Sequence, residues 1–350
     1  MTSRRIGKRV PSEASSGCSC RGFVKWSSLL VALGAALVGC AGSTSSSAKV
    51  PTSTRASTTT APARTTLQPV VLSQRNEAPL PSAVQEVAAA STATRFYIIG
   101  GYDATGSSVS SVFVYDGARW ADGPTLPIAV NHPAAAALNG NIYVAGGFTS
   151  GSATSRVFRL APGASMWQEV ASMHTARAAT AVLAIGRYLY AIGGIAGTTQ
   201  IGSVERYNPT TDTWTDITQM PRPRNHVAGY VDGKYACVAG GREPATSNAV
   251  DCLDTTTTTW KPGIPLPVPT SGAAAGIVDG VLSVSGGEPS GETSLVPLVQ
   301  ELRTISWTTQ AMLVPRHGTG YAEFQQRLWM CGGATAAGYH ATTACTSLGT

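Results

Sequence analysis

Three arginines recur at one fixed distance from a repeated glycine pair, and this spacing is the first sign of chemistry in the sequence. Arg177, Arg224 and Arg316 each lie 17 residues before the second glycine of a Gly-Gly pair. A guanidinium group presents a planar fork of donors that suits a carboxylate or a sulfate. If the fold places the three side chains around one axis, they would bind a carboxylate, a sulfate or an acidic peptide.

Other donors and several aromatic residues accompany this arginine position. The residues one or two places after it include Asn131, His132, Asn225, His226 and His317. The residues that follow the glycine pairs include Tyr102, Asp103, Phe148, Arg242, Glu243, Glu288, Tyr339 and His340. We take the three arginines, the first of these sets and Arg242 as candidate ligand-binding residues. Other repeats carry Val84, Val130 or Thr270 at the arginine position, so a guanidinium is not required there.

No motif identifies a catalytic or metal centre. The sequence contains no GxSxG, HExxH, Walker loop or EF-hand loop, and no CxxC or Cys/His spacing. The histidines are therefore expected to be hydrogen-bonded loop residues. We expect no metal and no cofactor, and the absence of catalytic motifs weakens an enzymatic interpretation without excluding it.

A repeat of 46 or 47 residues positions all of these side chains. In each unit an apolar stretch ends in two glycines, as in YLYAIGG at 188–194. The second glycines are Gly101, Gly147, Gly194, Gly241, Gly287 and Gly333. Five units continue to a tryptophan 19 or 20 residues later, namely Trp120, Trp167, Trp214, Trp260 and Trp307. A glycine loop that cradles phosphate occurs once and begins a helix, so six copies that each lead to another strand exclude it.

These units resemble the kelch repeat, from about residue 70 to the end of the chain. The resemblance implies an all-β fold, a six-bladed β-propeller with four antiparallel strands in each blade. The last unit can supply only three strands, because the chain ends 17 residues after Gly333. The segment VVLSQRNE (70–77) is therefore predicted to be the outer strand of the last blade and to close the ring. Because the kelch arginine often bonds loop carbonyls, a structural role is the alternative to ligand contact.

Four cysteines fall within the repeats. In the repeat frame Cys237 and Cys331 lie on second strands, and Cys252 and Cys345 lie on the third strands of the same two units. Opposed residues on neighbouring antiparallel strands lie within disulfide range. We predict the disulfides Cys237–Cys252 and Cys331–Cys345, with buried thiols as the alternative.

The first 39 residues have the order of a bacterial lipoprotein signal peptide. Basic residues precede the apolar run SSLLVALGAALVG, and LVGC at 37–40 resembles a lipobox. The resemblance implies a diacylglycerol on Cys40 and an extracytoplasmic protein anchored to a bacterial cell membrane. Residues 40–69 are rich in Ser, Thr and Pro and are expected to form a disordered tether, and residues 70–350 form the propeller. The sequence leaves open the export route, the choice of inner or outer membrane, and glycosylation of the tether.

The distribution of charge limits the class of partner. The chain has a net charge of +6, but residues 71–350 carry 16 Lys and Arg against 18 Asp and Glu. This excludes a basic surface for nucleic acid. We expect a monomeric binding module for an envelope protein, peptide or glycan. The alternatives are a pure scaffold and a carbohydrate-active enzyme similar to the sialic acid mutarotases found among six-bladed bacterial kelch proteins.

Overall fold

The computed structural model describes residues 70–291 and 293–350, and this part of the chain consists of β-strands and loops. Six four-stranded antiparallel sheets form the six blades of a propeller, which confirms the predicted fold. The signal segment, Cys40 and the tether lie outside the described residues. Nothing in the described part forms a helix with the length and hydropathy needed to span a lipid bilayer.

Blades 1 to 5 each take their four strands from one stretch of the chain, in order from the innermost strand to the outermost. Blade 1 consists of Ala88–Ser91, Phe96–Ile99, Val112–Tyr115 and Trp120–Asp122. Blade 2 consists of Ala134–Leu138, Asn141–Ala145, Val157–Leu160 and Gln168–Val170. Blade 3 consists of Ala181–Ile185, Tyr188–Ile192, Ser203–Asn208 and Thr213–Gln219. Blade 4 consists of Ala228–Asp232, Tyr235–Ala239, Val250–Asp254 and Thr259–Pro262, and blade 5 of Ala274–Val278, Val281–Ser285, Leu298–Arg303 and Ser306–Ala311.

Blade 6 combines the two ends of the described chain. Its strands are Gly320–Phe324, Arg327–Cys331, Cys345–Gly349 and, outermost, Ser73–Glu77. The outer strand pairs antiparallel with the C-terminal strand, so that Ser73 faces Gly349 and Glu77 faces Cys345. This confirms the predicted ring closure, with a strand three residues shorter at its start than the sequence suggested.

Three further two-stranded ribbons lie in the loops that precede the innermost strands or follow the glycine pairs. They are Val84–Gln85 with Tyr102–Asp103, Phe148–Thr149 with Ser152–Ala153, and Ile195–Ala196 with Thr199–Gln200. All three therefore lie at the same end of the propeller, where the second strands finish.

Tryptophans join neighbouring blades. The indole N–H of Trp120 in blade 1 donates to Ala78 O, at the end of the outer strand of blade 6 (2.8 Å). Trp167 and Trp214 donate in the same way to carbonyls that follow the outer strands of blades 1 and 2. Each ring thus buries apolar surface between two sheets while its one polar group is bonded to the preceding blade.

Both predicted disulfides are present. Cys237 faces Cys252 directly across the second and third strands of blade 4, and Cys331 faces Cys345 in blade 6. The second bond joins the C-terminal strand, which holds the N-terminal outer strand, to the interior of its blade.

Candidate functional site

One residue from each blade forms a ring that closes the central channel at the end where the second strands finish. The six residues are Glu86, His132, Ala179, His226, Gly272 and Gly318. All six have φ between 50° and 65°, in the left-handed region. Each N–H from blade 2 to blade 6 donates to the carbonyl of the ring residue one blade earlier, at 2.8 to 3.0 Å. The N–H of Val87 completes the circle by donating to Gly318 O at 3.4 Å.

A carboxylate and two imidazoles meet at this ring. Glu86 Oε2 lies 3.1 Å from His132 Nε2, and Glu86 Oε1 lies 3.1 Å from His317 Nδ1. Gly318 makes room for the carboxylate, because a Cβ there would lie 2.2 Å from Glu86 Oε1. Because Gly318 has no side chain, the Glu86 carboxylate can occupy the space beside it.

Two asparagines orient the ring histidines. Asn131 Oδ1 lies 2.6 Å from His132 Nδ1, and Asn225 Oδ1 makes the same contact with His226 Nδ1. An amide oxygen only accepts hydrogen bonds, so Nδ1 carries the proton in both imidazoles. The two imidazole rings lie 5.0 Å apart at 83° to each other, and the ring residue between their backbones is the small Ala179.

A chain of charged contacts continues outward from His317. Its Nε2 lies 3.3 Å from Glu288 Oε1, and the other oxygen of Glu288 accepts from Arg242 at 2.7 Å. Arg242 also donates to Ser271 Oγ at 3.0 Å. The cluster is therefore one connected network from the axis to the loop that follows the glycine pair of blade 4.

Aromatic side chains stand beside the polar residues. Tyr102 packs edge-on against His132 and against Tyr339, with ring centroids 5.8 and 5.3 Å apart. Phe148 packs against the other side of His132 at 5.7 Å. Tyr339 remains 59% exposed. We call the space bounded by the ring residues and these three aromatic residues the vestibule.

The electrostatics of the vestibule favour an ionised carboxylate. Burial tends to raise the pKa of Glu86, but His132 and the hydrogen bond from His317 outweigh burial and hold that pKa well below its usual range. Burial, reinforced by the charge of His132, moves the pKa of His226 well below its ordinary value. For His317, burial acts to lower the pKa, but the hydrogen bond and charge of Glu86 reverse this and raise it.

The three candidate arginines are not in the vestibule. Arg177, Arg224 and Arg316 are 0% exposed, and their guanidinium groups lie inside blades 3, 4 and 6. Arg177 donates to Gly193 O, to Ser203 and to Glu205 Oε1, the last at 2.6 Å. Arg224 pairs with Asp251 at 2.8 Å, and Arg316 donates to Ala344 O and Thr346 Oγ1. A ligand cannot reach them, so we remove them from the candidate site, in favour of the structural alternative.

The repeats with and without the arginine differ also at one position of the third strand. On the second strand, the residue three places before the second glycine pairs with a residue of the third strand. This third-strand residue is Glu205 in blade 3 and Asp251 in blade 4. In blades 1 and 2, where valine replaces arginine, the same facing position holds Phe113 and Phe158. In these four blades the interior is thus filled either by an ion pair or by two apolar side chains, whereas Arg316 of blade 6 meets Thr346 and blade 5 carries Thr270 and Gln300.

The sequence did not indicate Glu86 as a site residue, and Glu288 was named only among the residues that follow the glycine pairs. Asn131, His132, Asn225, His226, His317 and Arg242, which the sequence did indicate, all belong to the network at the vestibule. Glu86 lies two residues after Val84, just as His132 lies two residues after Val130. Comparison of that position across the repeats would have found it.

Below the ring, the innermost strands surround a channel cavity of about 470 Å³. Its walls include Ala88, Ala135 and Gly276. Tyr321 of blade 6 reaches across to blade 4, where its hydroxyl accepts from Gly229 N at 2.8 Å. The cavity is consequently crossed by one side chain.

Comparisons with known proteins agree with this architecture. A published structure titled "Structure of YjhT" superposes with a TM-score of 0.69 over 76% of this chain and 95% of that one. The sequence identity is 17%, so the likeness concerns the fold alone. An F-box/kelch-repeat protein of Arabidopsis thaliana is 38% identical over 88 residues, which are 25% of this chain and only 23% of that protein. The family model described as the KLHDC2/KLHL20/DRC7 Kelch-repeats domain matches residues 87–287, more than half of the chain, and the protein therefore belongs to this kelch-repeat family.

Proposed function

We propose that the protein is a membrane-anchored binding module of the bacterial cell envelope and that the vestibule is its binding site. The observation that carries this proposal is the convergence of polar side chains from four blades, with aromatic rings beside them, at one mouth of the channel. Ligand sites typically combine apolar walls with a few placed polar groups.

The vestibule suits a ligand with both polar and apolar surface. Glu86 and the imidazoles supply acceptors and donors at the floor, whereas Tyr102 and Tyr339 supply ring faces and edges. Arg242, whose side chain is 18% exposed, lies at the border of this floor. An envelope protein, a peptide or a glycan fits this combination, and the three classes are separated by the experiment below.

Anchoring rests on the sequence. The basic start, the short apolar run and LVGC at 37–40 support lipidation of Cys40. Acyl chains contribute about 0.8 kcal/mol per buried CH₂, enough in combination for a stable anchor. A tether of 29 residues after Cys40 would have an r.m.s. reach of roughly 30 Å. Metabolic labelling with a fatty acid should mark the protein, and Cys40→Ser should abolish the label and release the protein from membranes.

Binding is tested by a thermal-shift screen of acidic sugars, cell-wall fragments and peptides, followed by calorimetry of the compounds that stabilise the protein. His132→Ala and Tyr339→Ala should each weaken binding of such a compound at least about tenfold. The matched controls are His174→Ala, on the outer face of blade 3, and Tyr188→Ala, at the opposite end of the propeller. Equal losses in the controls, or full binding in the vestibule variants, would rule out this site.

A sugar-converting enzyme is the second candidate. The three repeat arginines are buried inside their blades, but Glu86 lies between His132 and His317 within hydrogen-bond distance of both. A carboxylate beside imidazoles at a pocket floor can exchange protons with a hydroxyl of a bound sugar. NMR exchange spectroscopy on reducing sugars would show faster interconversion of the anomers, and Glu86→Gln should remove the acceleration. Tight binding without acceleration would favour the binding module.

A further inference from the structure

The ring at the channel mouth brings together three side chains of types that can bind a metal ion. Glu86, His132 and His226 each offer one ligand atom, and these atoms all lie within 4.8 Å of one another. We propose that the channel mouth binds one divalent transition metal ion of the zinc type, through the Glu86 carboxylate and the Nε2 atoms of His132 and His226.

The hydrogen bonds behind the histidines are those of metal ligands. A metal-binding imidazole usually donates its other N–H to an oxygen, which fixes the tautomer and the direction of the ring. Asn131 and Asn225 accept from Nδ1 of His132 and His226, so the lone pair of each ring lies on Nε2. The Glu86 carboxylate is held in the same manner, by His317 on its second oxygen.

The backbone supports a function for these side chains. Glu86, His132 and His226 all have φ of 51°, a conformation that costs a residue with a side chain on the order of 1 kcal/mol or more. Gly272 and Gly318 occupy the equivalent positions in blades 5 and 6, so the ring accepts glycine. Three bulky polar residues at positions that suit glycine indicate that their side chains perform a task.

The donor set identifies the class of metal. Two imidazoles and one carboxylate are typical ligands of zinc and of other first-row transition metals, whereas magnesium and calcium prefer oxygen ligands. Three protein ligands leave a coordination position for water or for a bound molecule, as in catalytic rather than structural zinc sites. No sequence motif could reveal the set, because its members come from blades 1, 2 and 4.

A second group of one histidine and two carboxylates differs from the proposed site in how one of its carboxylates is bonded. His174, Glu205 and Asp216 also lie within 4.8 Å of one another. Glu205, however, is already occupied by Arg177 and by the backbone N–H groups of His174 and Thr175. This group serves as an internal control, and we expect no tight metal binding there.

The test uses the full-length protein, stripped with a chelator and titrated calorimetrically with ZnCl₂, with MgCl₂ as the comparison. One Zn²⁺ per chain should bind, and Mg²⁺ should not compete. His132→Gly and His226→Gly should each weaken Zn²⁺ binding by more than about tenfold, and the double variant should abolish it. Because the ring already contains glycine at Gly272 and Gly318, these variants should still fold without metal. His174→Ala should bind Zn²⁺ as the unmodified protein does.

Zinc-edge X-ray absorption of the unmodified protein gives a second reading that needs no variant. We expect nitrogen and oxygen ligands that include about two imidazoles. The proposal is overturned if the protein binds no Zn²⁺, if the double glycine variant retains the affinity, or if the spectrum lacks imidazole scattering. These measurements do not involve an organic ligand, so failure here leaves the binding-module proposal standing, and failure of the ligand screen leaves the metal site standing.

Discussion

The guanidinium of Arg177 lies 2.6 Å from the Glu205 carboxylate, and both side chains are wholly buried inside blade 3. Glu205 also accepts the backbone N–H groups of His174 and Thr175, so the carboxylate is fully bonded. A buried pair of this kind stabilises the fold only while both partners are present, because a single buried charge is expensive.

Removal of one partner should therefore cost more than removal of both. Arg177→Val should lower the free energy of unfolding by about 3–5 kcal/mol, since it leaves Glu205 buried without its cation. The double variant Arg177→Val/Glu205→Phe reproduces Val130 and Phe158 of blade 2 and should recover a large part of that loss. Urea unfolding of the single and double variants provides the comparison. A double variant less stable than Arg177→Val alone would contradict the exchange of ion pair for apolar pair.

Ring closure by the N-terminal strand should contribute to the stability of the whole propeller. Deletion of residues 70–79 should lower the melting temperature, because the third strand of blade 6 loses its partner. Arg327→Ala should have a smaller effect of the same sign, since Arg327 donates to Ser73 O at 2.6 Å and to Thr350 O at 2.7 Å. Arg187→Ala, in an exposed turn, is the control. An unchanged melting temperature after the deletion would show that the ring does not depend on this strand.

The disulfides should stabilise blades 4 and 6 by similar amounts but with different local effects. They span 15 and 14 residues, for which chain entropy gives about 3 kcal/mol each. Cys331→Ala/Cys345→Ala should in addition speed hydrogen exchange in the strand Ser73–Glu77, which pairs with the C-terminal strand. Cys237→Ala/Cys252→Ala should leave exchange in that strand unchanged. Equal exchange in both variants would argue against the coupling.

Alkaline pH should weaken the fold partly through Tyr321. Burial raises the pKa of this phenol to about 12, against about 10 in the unfolded chain. Below pH 10 both states are protonated; between pH 10 and 12 only the unfolded state ionises, so stability falls by about 3 kcal/mol. Tyr321→Phe should be less stable at pH 8, because Gly229 N loses its acceptor, but should lose less stability up to pH 12. Parallel curves of unfolding free energy against pH would contradict this.

The local pattern of each repeat was enough to predict most of the fold. A glycine pair, a tryptophan and a fixed period predicted the number of blades, the resemblance to the kelch repeat implied the four strands of each blade, and the positions of the cysteines in the repeat predicted the two disulfides. These features depend on neighbours in one sheet, where register follows from strand pairing. The missing strand of blade 6 could be predicted as well, because the first unit contains the segment that the last unit lacks.

The direction in which these side chains point could not be predicted from the sequence. Arg177 and His132 lie only two positions apart in their repeats, yet one points into its blade and the other into the vestibule. Arg177 points inward because it forms an ion pair with Glu205 on the third strand. The sequence pattern did not indicate this pair. The position of Glu86 was equally hidden, since its neighbours His132 and His317 belong to other blades.

The sequence by itself predicted a closed six-bladed kelch propeller, because the signals recur in each repeat and the first unit is preceded by the strand that the last unit lacks. Only the tertiary structure decided which polar side chains share a site. Glu86, His132 and His226 lie in three different blades, and closure of the ring around one axis brings their ligand atoms within 4.8 Å of one another. Such proximity is a property of the closed ring, because the circle of backbone hydrogen bonds at the channel mouth exists only when all six blades are in place.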